Sequence, residues 1–303
     1  MAVAAVLMPT REVRTRIMDS TRWKDVRLRP TDAIVASWGK SGTTLTVQMV
    51  SQLLSNGAEG MSTKAPWVEA LPFAPRERML TAVESLPDPR LLKTHLPFDA
   101  LVFHPEARYV YVARDARDVV WSAYNHHISL TAQSIQIFNE SGGSGPLIAP
   151  YSGSARDYYL HWLESGELPG FTLNEPFWAH VRGWWAQRDR PNVLLLHHAR
   201  LTADPESELR RLAAFLRLRI DEAAMPRILS HCRIEYMRQH AAQLPGYTRI
   251  FVQGSTSFFH QGSNGRWREE LSAAEIARCD AVAARELPED CARWLRTGEL
   301  PER

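Results

Sequence analysis

A continuous apolar run over residues 33–37 breaks at Trp38-Gly39 and passes through Lys40-Ser41-Gly42. It then gives way to a helical spacing that puts Val47, Val50 and Leu54 on one face and stops at Asn56-Gly57. An unbroken apolar run is what a parallel strand covered on both faces requires, and Asn-Gly is a helix stop, so the stretch predicts strand, turn and helix. Further strands are predicted at residues 90–94, closed by His95-Leu96-Pro97, at residues 108–113 (R-Y-V-Y-V-A), and at residues 192–197. Helices are expected after Arg114-Asp115, over the tryptophan-rich residues 176–188, and over residues 205–216 with Leu209, Leu212 and Phe215 inward. Residues 59–89, rich in proline, should be short helices and loops anchored by Trp67, Leu71 and Phe73. Residues 128–175 carry the run S-G-G-S-G-P and the aromatics Tyr151, Tyr158, Tyr159 and Trp162, and read as a long loop-rich insertion that covers an acceptor site. Residues 9–32 read as a charged, solvated lead-in within the N-terminal 1–32. Alternation of strands and helices predicts one α/β domain over residues 1–303, with a mostly parallel central sheet flanked by helices.

Composition changes this picture little. The 303 residues are 45% hydrophobic and 23% charged, enough for one large core, and a net charge of +2 gives no reason to expect nucleic acid or membrane as partner. Cys232, Cys279 and Cys291 form neither a disulfide framework nor a metal spacing, and the apolar opening is too short for a signal sequence. No run approaches the ~18 apolar residues of a membrane span, so a cytoplasmic location is expected.

Candidate chemistry gathers at the carboxyl ends of the predicted strands, where open α/β sheets bind ligands. The turn after the first strand brings Lys40, Ser41, Gly42, Thr43 and Thr44 to a helix start, an anion site by construction. Lys93 and His95 end the second strand and Arg114 ends the third; Ser122, eight residues on, need not share Arg114's ligand on spacing alone. Two lysines and an arginine suit phosphate or sulfate, and a neutral imidazole suits taking a proton from a hydroxyl. Taken singly, His95 reads as well as a structural histidine, and Arg114 as well as a helix-start partner of Asp118. Trp178, Trp184 and Trp185 read as core, and the doublets His126-His127 and His197-His198 point apart, so no metal is expected.

In combination the blocks resemble the cytosolic sulfotransferases, which use 3′-phosphoadenosine 5′-phosphosulfate (PAPS) and release PAP. K-S-G-T-T at 40–44 is similar to their 5′-phosphosulfate loop, K-T-H-L-P at 93–97 to the block of their catalytic histidine, and Y-V-A-R-D-A-R-D-V-V-W-S at 111–122 to their 3′-phosphate block. F-F-H-Q-G-S-N-G-R-W at 258–267 resembles the loop that closes over the nucleotide, with Gly262 in it, and H-V-R-G-W-W at 180–185 also matches. The resemblance implies a P-loop-kinase-like sulfotransferase fold, His95 as general base, Lys40 and Lys93 as charge-neutralising groups, and residues 41–44, Arg114, Ser122 and Gly262 on the donor, with no metal. It implies a small acceptor, and Trp67, Phe73, Phe98, Tyr151, Tyr158 and Trp162 suggest a phenol or alcohol with an apolar body.

The pattern departs from the family at Leu45, where a tryptophan usually stacks on adenine, and at His260-Gln261, where Arg-Lys is usual; His198 and Cys232 replace a tyrosine and a threonine. The dimerisation pattern expected after Trp267 is not evident, which leaves the oligomeric state open. A nucleotide kinase or other phosphoryl transferase would need a true Walker A loop, and Ile34 stands where its first glycine belongs. A non-catalytic nucleotide-binding protein would keep Lys40 and Arg114 without needing His95.

Overall fold

The computed structural model describes residues 5–61, 65–171, 176–241, 247–259 and 262–301. Four strands, β1 (Ala33–Ala36), β2 (Leu91–Thr94), β3 (Arg108–Ala113) and β4 (Val193–His197), form one parallel sheet in the order β2-β1-β3-β4. Alternate residues along β3 serve opposite faces. Tyr109, Tyr111 and Ala113 join one apolar cluster and Val110 and Val112 the other, which is why the strand reads as uninterrupted apolar sequence.

One face is covered by α1 (Thr43–Leu54), which buries Val47, Met49, Val50 and Leu53. The other face receives α2 (Arg76–Glu84) and α3 (Ala116–Ile128), whose first turn is capped by the Asp115 carboxylate accepting from the Arg117 N–H. After α3 come α4 (Ala132–Asn139), α5 (Ala155–Ser165), α6 (Phe177–Trp185), α7 (His198–Ala203) and α8 (Pro205–Leu216). The chain ends in α9 (Met225–His231), α10 (Ile234–Gln239), α11 (Tyr247–Ile250), α12 (Ala273–Glu286) and α13 (Glu289–Thr297). Helices α8 and α9 pack beside α1, while α6 and α13 bury Trp184, Trp185 and Trp294 on the other face. The strand order puts β2 and β3 on opposite sides of β1, so the loops leaving β1 and β3 diverge and open a crevice at their carboxyl ends.

Two expectations need correction. Residues 9–32 are not a solvated lead-in: Val13, Ile17, Met18 and Trp23 are buried. This segment pairs with residues 69–71 through Asp19 N–H to Glu69 O and Leu71 N–H to Ile17 O, long-range contacts that leave no helical or strand period to detect. Nor is 128–175 chiefly loop, since it contains α4 and α5. Helix α5 begins at the Ser154 cap, ends at Gly166 and buries Tyr158, Tyr159, Trp162 and Leu163 at helical spacing. The intervening 139–146 turn is fixed rather than free, with the Arg16 guanidinium donating to the carbonyls of Asn139, Gly143, Gly145 and Pro146.

Candidate active site

A cavity of about 1180 Å³ opens at this crevice and is lined by Lys40, Gly42, Thr43, Thr44, Lys93, His95, Arg114, Ser122 and Gly262. The fold thus brings nine of the ten site residues read from the sequence to one space. Ser41 is the exception: it is buried, outside the cavity lining, and its N–H is used inside the turn by Trp38 O at 3.3 Å. The N–H groups at the start of α1 have no intrahelical carbonyl to bond, so they remain available for an anion. Lys40 sits at φ 69 and Gly42 at φ 112, and a Cβ on Gly42 would lie 2.9 Å from His198 Cδ2, so the turn is a tight cradle.

His95 is held by its backbone and its ring. Nδ1 lies 2.9 Å from the Ser37 carbonyl, which can only accept, so Nδ1 carries the proton and Nε2 is left as an acceptor. Nε2 has no hydrogen bond among the described residues, and the ring lies edge-on to Trp67 at 4.9 Å. Burial, then the charge of Lys93, lowers the imidazole pKa to about 3, so the ring is neutral. Lys40 is lowered to about 7 by burial, reinforced by repulsion from Arg114 and Lys93; its Nζ lies 3.3 Å from His126 Nδ1 and 4.4 Å from the Phe258 ring centre. Burial lowers Lys93 to about 8 against the opposing charge of Glu69, and its Nζ lies over the Trp67 ring at 4.9 Å. Two crowded ammonium groups with lowered pKa values are stabilised by an incoming anion.

On the other side, Arg114 donates from Nε to Asn264 Oδ1 at 2.9 Å and from Nη2 to Ser263 O at 3.0 Å, which ties the loop around Gly262 to the end of β3. The same loop is fastened by Asp118, which accepts from the Gly265 N–H at 2.7 Å. His260 and Gln261 lie outside the described residues. The position beside Leu45 is apolar, with Met61, Met237 and Phe259 clustered against Leu45 and Ile234. His198 Nδ1 is buried without a hydrogen-bond partner among the described residues and belongs to the cavity lining. A ligand with two separated anionic groups joined by a flat, hydrogen-bonding body fits this arrangement.

The acceptor side differs from the sequence expectation. Trp67 and Phe73 line the cavity, but Phe98, Tyr151, Tyr158 and Trp162 do not. Phe98 packs on Phe103 and Trp184, and Tyr158 and Trp162 are buried in the packing of α5. Ile17, Met79, Phe138 and Phe171 stand there instead, residues whose roles depend on contacts distant in sequence. Among the described residues no group of three His, Cys, Asp or Glu side chains is placed to hold a metal, and no helix is long and apolar enough to cross a membrane.

Comparison with known proteins bears on the family of the chain. Residues 30–290 match the sulfotransferase domain family. The glycolipid sulfotransferase of Mycobacterium bovis is 27% identical over 314 residues, covering 94% of each chain, and sulfotransferase 1B1 of Canis lupus familiaris is 25% identical over 88% of each. Among solved structures, a mouse sulfotransferase complexed with PAP superposes with a TM-score of 0.69 at 16% identity, covering 91% of this chain and 92% of the other. Retinol dehydratase in complex with androsterone and PAP gives 0.66 at 22% identity, covering 90% and 87%. With the match running from the first strand to the penultimate helix, and a kinase's Walker A glycine absent, this chain belongs to the sulfotransferase family.

Proposed function

We propose that this PAPS-dependent sulfotransferase moves the sulfuryl group to the hydroxyl, or amine, of a small apolar acceptor, with His95 as general base. The observation that carries the reading is the imidazole itself, fixed as the Nδ1–H tautomer by Ser37 with Nε2 unbonded at the junction of an anion cradle and an apolar chamber. Nε2 takes the acceptor proton as the acceptor oxygen attacks sulfur. The bond from sulfur to the bridging oxygen breaks, and its electron pair stays on the departing 5′-phosphate. Lys40 and Lys93 neutralise the charge that grows there, and the first N–H groups of α1 hold the phosphate. The donor's negative charge offsets the two ammonium groups that oppose protonation of His95, so the base strengthens when the donor is in place.

Arg114 and Ser122 are assigned to the 3′-phosphate, Gly262 to the closing loop, and Met61, Met237 and Phe259 to covering the adenine in place of the missing aromatic at Leu45. An alcohol or phenol with an apolar body suits the chamber of Ile17, Trp67, Pro72, Phe73, Met79 and Phe138, closed on one side by α4 of the 128–175 segment. Retinol and androsterone, bound by solved structures of similar fold, have that character. A cytoplasmic site of action accords with three buried, free cysteines. The test is His95→Ala assayed with PAPS and a panel of phenols, alcohols and amines. Turnover should fall at least ~10²–10⁴-fold, the usual contribution of a general base, while PAP affinity stays within a few-fold; retained turnover removes His95 as base.

A further inference from the structure

Beneath His95 and Lys93 lies a carboxylate that the transfer chemistry above does not use. Glu69 is 0% exposed and receives four donors: the His95 N–H at 2.6 Å, Trp67 Nε1 at 2.6 Å and Thr94 Oγ1 at 3.0 Å on Oε1, and Trp23 Nε1 at 2.8 Å on Oε2. Indole and amide N–H groups can only donate, and Thr94 Oγ1 already accepts from the Leu96 N–H at 3.1 Å. Burial pushes the Glu69 carboxyl above its ordinary value, and the bonds from the His95 N–H and the two indoles pull it back; three of its four partners can only donate, which favours the carboxylate over the acid.

Each donor belongs to a group that sets the geometry of transfer. The first is the His95 peptide itself. The second, Trp67, meets the His95 ring edge-on at 4.9 Å and carries the Lys93 ammonium at 4.9 Å over its face. The third, Thr94, passes the restraint on to Leu96. From the opposite side α6 holds the matching carbonyls, His180 Nε2 donating to His95 O at 3.2 Å and Trp184 Nε1 to Leu96 O at 3.1 Å. The strand end bearing the base is therefore gripped by its amides through Glu69 and by its carbonyls through α6. An ion so fully buried is unfavourable without compensation, and its four hydrogen-bond donors supply it, with the Lys93 ammonium across the Trp67 ring adding a longer-range attraction.

We propose that Glu69 is the positioning residue of the transfer site: its carboxylate fixes the His95 peptide and the Trp67 indole, over whose face the Lys93 ammonium rests. This rests on the assignment of His95 and Lys93 made above. Glu69 touches neither donor nor acceptor; it acts through the groups that do.

Three preparations test it, namely wild type, Glu69→Gln and His95→Ala, with kcat and KM measured from pH 6 to 9 and PAP affinity by calorimetry. Glu69→Gln keeps the shape and one accepting oxygen but removes the charge. Its kcat should fall about 10- to 100-fold, as for loss of a group that orients a reacting residue, with KM for PAPS and PAP affinity unchanged at pH 6, where Lys93 is charged in both proteins. Without the opposing carboxylate, Lys93 releases its proton at lower pH than its present value of about 8, so the alkaline limb of the kcat profile should move down. A folded Glu69→Gln with wild-type kcat and an unmoved limb overturns the proposal. Should that variant not fold, the wild-type protein labelled with ¹⁵N-histidine still decides. A charge-assisted bond of 2.6 Å places the His95 amide proton well downfield of the other histidine amides, and an ordinary shift overturns the proposal. Full turnover in His95→Ala would instead sink the base assignment and this inference with it, whereas an inactive His95→Ala beside an unimpaired Glu69→Gln refutes Glu69 alone.

Discussion

Lys40 and Lys93 show what burial does to residues whose work is to carry charge. In the free protein Lys40 gives up its proton near pH 7 and Lys93 near pH 8, both because burial disfavours the ammonium. A bound bisphosphate raises both values, so the affinity it gains from them is fully present below about 7. That gain is lost as pH rises through 7 and 8 towards the bound-state values. PAP affinity should accordingly weaken across this window by up to about tenfold per pH unit for each uncharged lysine, and binding at pH 8 should take up protons. Calorimetry in two buffers of different ionisation enthalpy reads both; a flat affinity with no proton uptake contradicts the lysine assignment. His95, Lys93, Lys40 and Arg114 were all legible in the sequence because each sits beside a strand end or glycine turn that local pattern reveals. His126, Glu69 and Asn264 were not. They reach Lys40, His95 and Arg114 across 86, 26 and 150 residues, and although His126 belongs to a histidine doublet and Asn264 to the 258–267 block, no local pattern names those partners.

At the level of elements, the turn from β1 into α1 carries the site. Its Lys40 occupies the left-handed backbone region, which costs a residue with a side chain about 1–2 kcal/mol, and the hydrogen bonds on either side, Ser41 N–H to Trp38 O and Thr46 N–H to Gly42 O, hold it there. Gly42, at φ 112 and with His198 2.9 Å from where a Cβ would stand, tolerates no side chain without movement. Gly42→Ala should destabilise the protein by about 1–3 kcal/mol and weaken PAP binding through the displaced cradle. Denaturant unfolding and calorimetry check this, and an alanine variant equal to wild type in both would show that the cradle yields. Helix α6 was predicted as core from its tryptophans, yet His180 and Trp184 also hold the carbonyls of His95 and Leu96. Helix α5 reads from the sequence as loop with aromatic islands, because its capping Ser154 follows a Gly/Ser-rich run that masks the helical spacing behind it.

Across the whole molecule the sheet is locked at the end opposite the site by a fully buried ion pair. Arg90 donates from Nε and Nη2 to the two oxygens of Asp32 at 2.8 and 2.6 Å, joining the starts of β2 and β1, and a further bond runs from Nη2 to Arg27 O. Removing Asp32 leaves the buried Arg90 only the half-exposed Glu84 carboxylate at 3.1 Å, so Asp32→Ala should cost up to about 3–5 kcal/mol of unfolding free energy with little change in KM for PAPS. A loss under 1 kcal/mol would mean that Glu84 or water takes over Arg90's charge. The parallel arrangement, the positions of β3 and α8, and the anion-binding turn follow from the sequence alone, because runs, periods and glycine turns are local and the right-handed crossover rule leaves few topologies. Which aromatics face the acceptor, how the N-terminal segment reaches Ile17 into the chamber, and what holds His95 in one tautomer were decided only by tertiary structure. Those depend on which distant backbones come within hydrogen-bonding distance, and a single chain of residues contains no local period for such contacts.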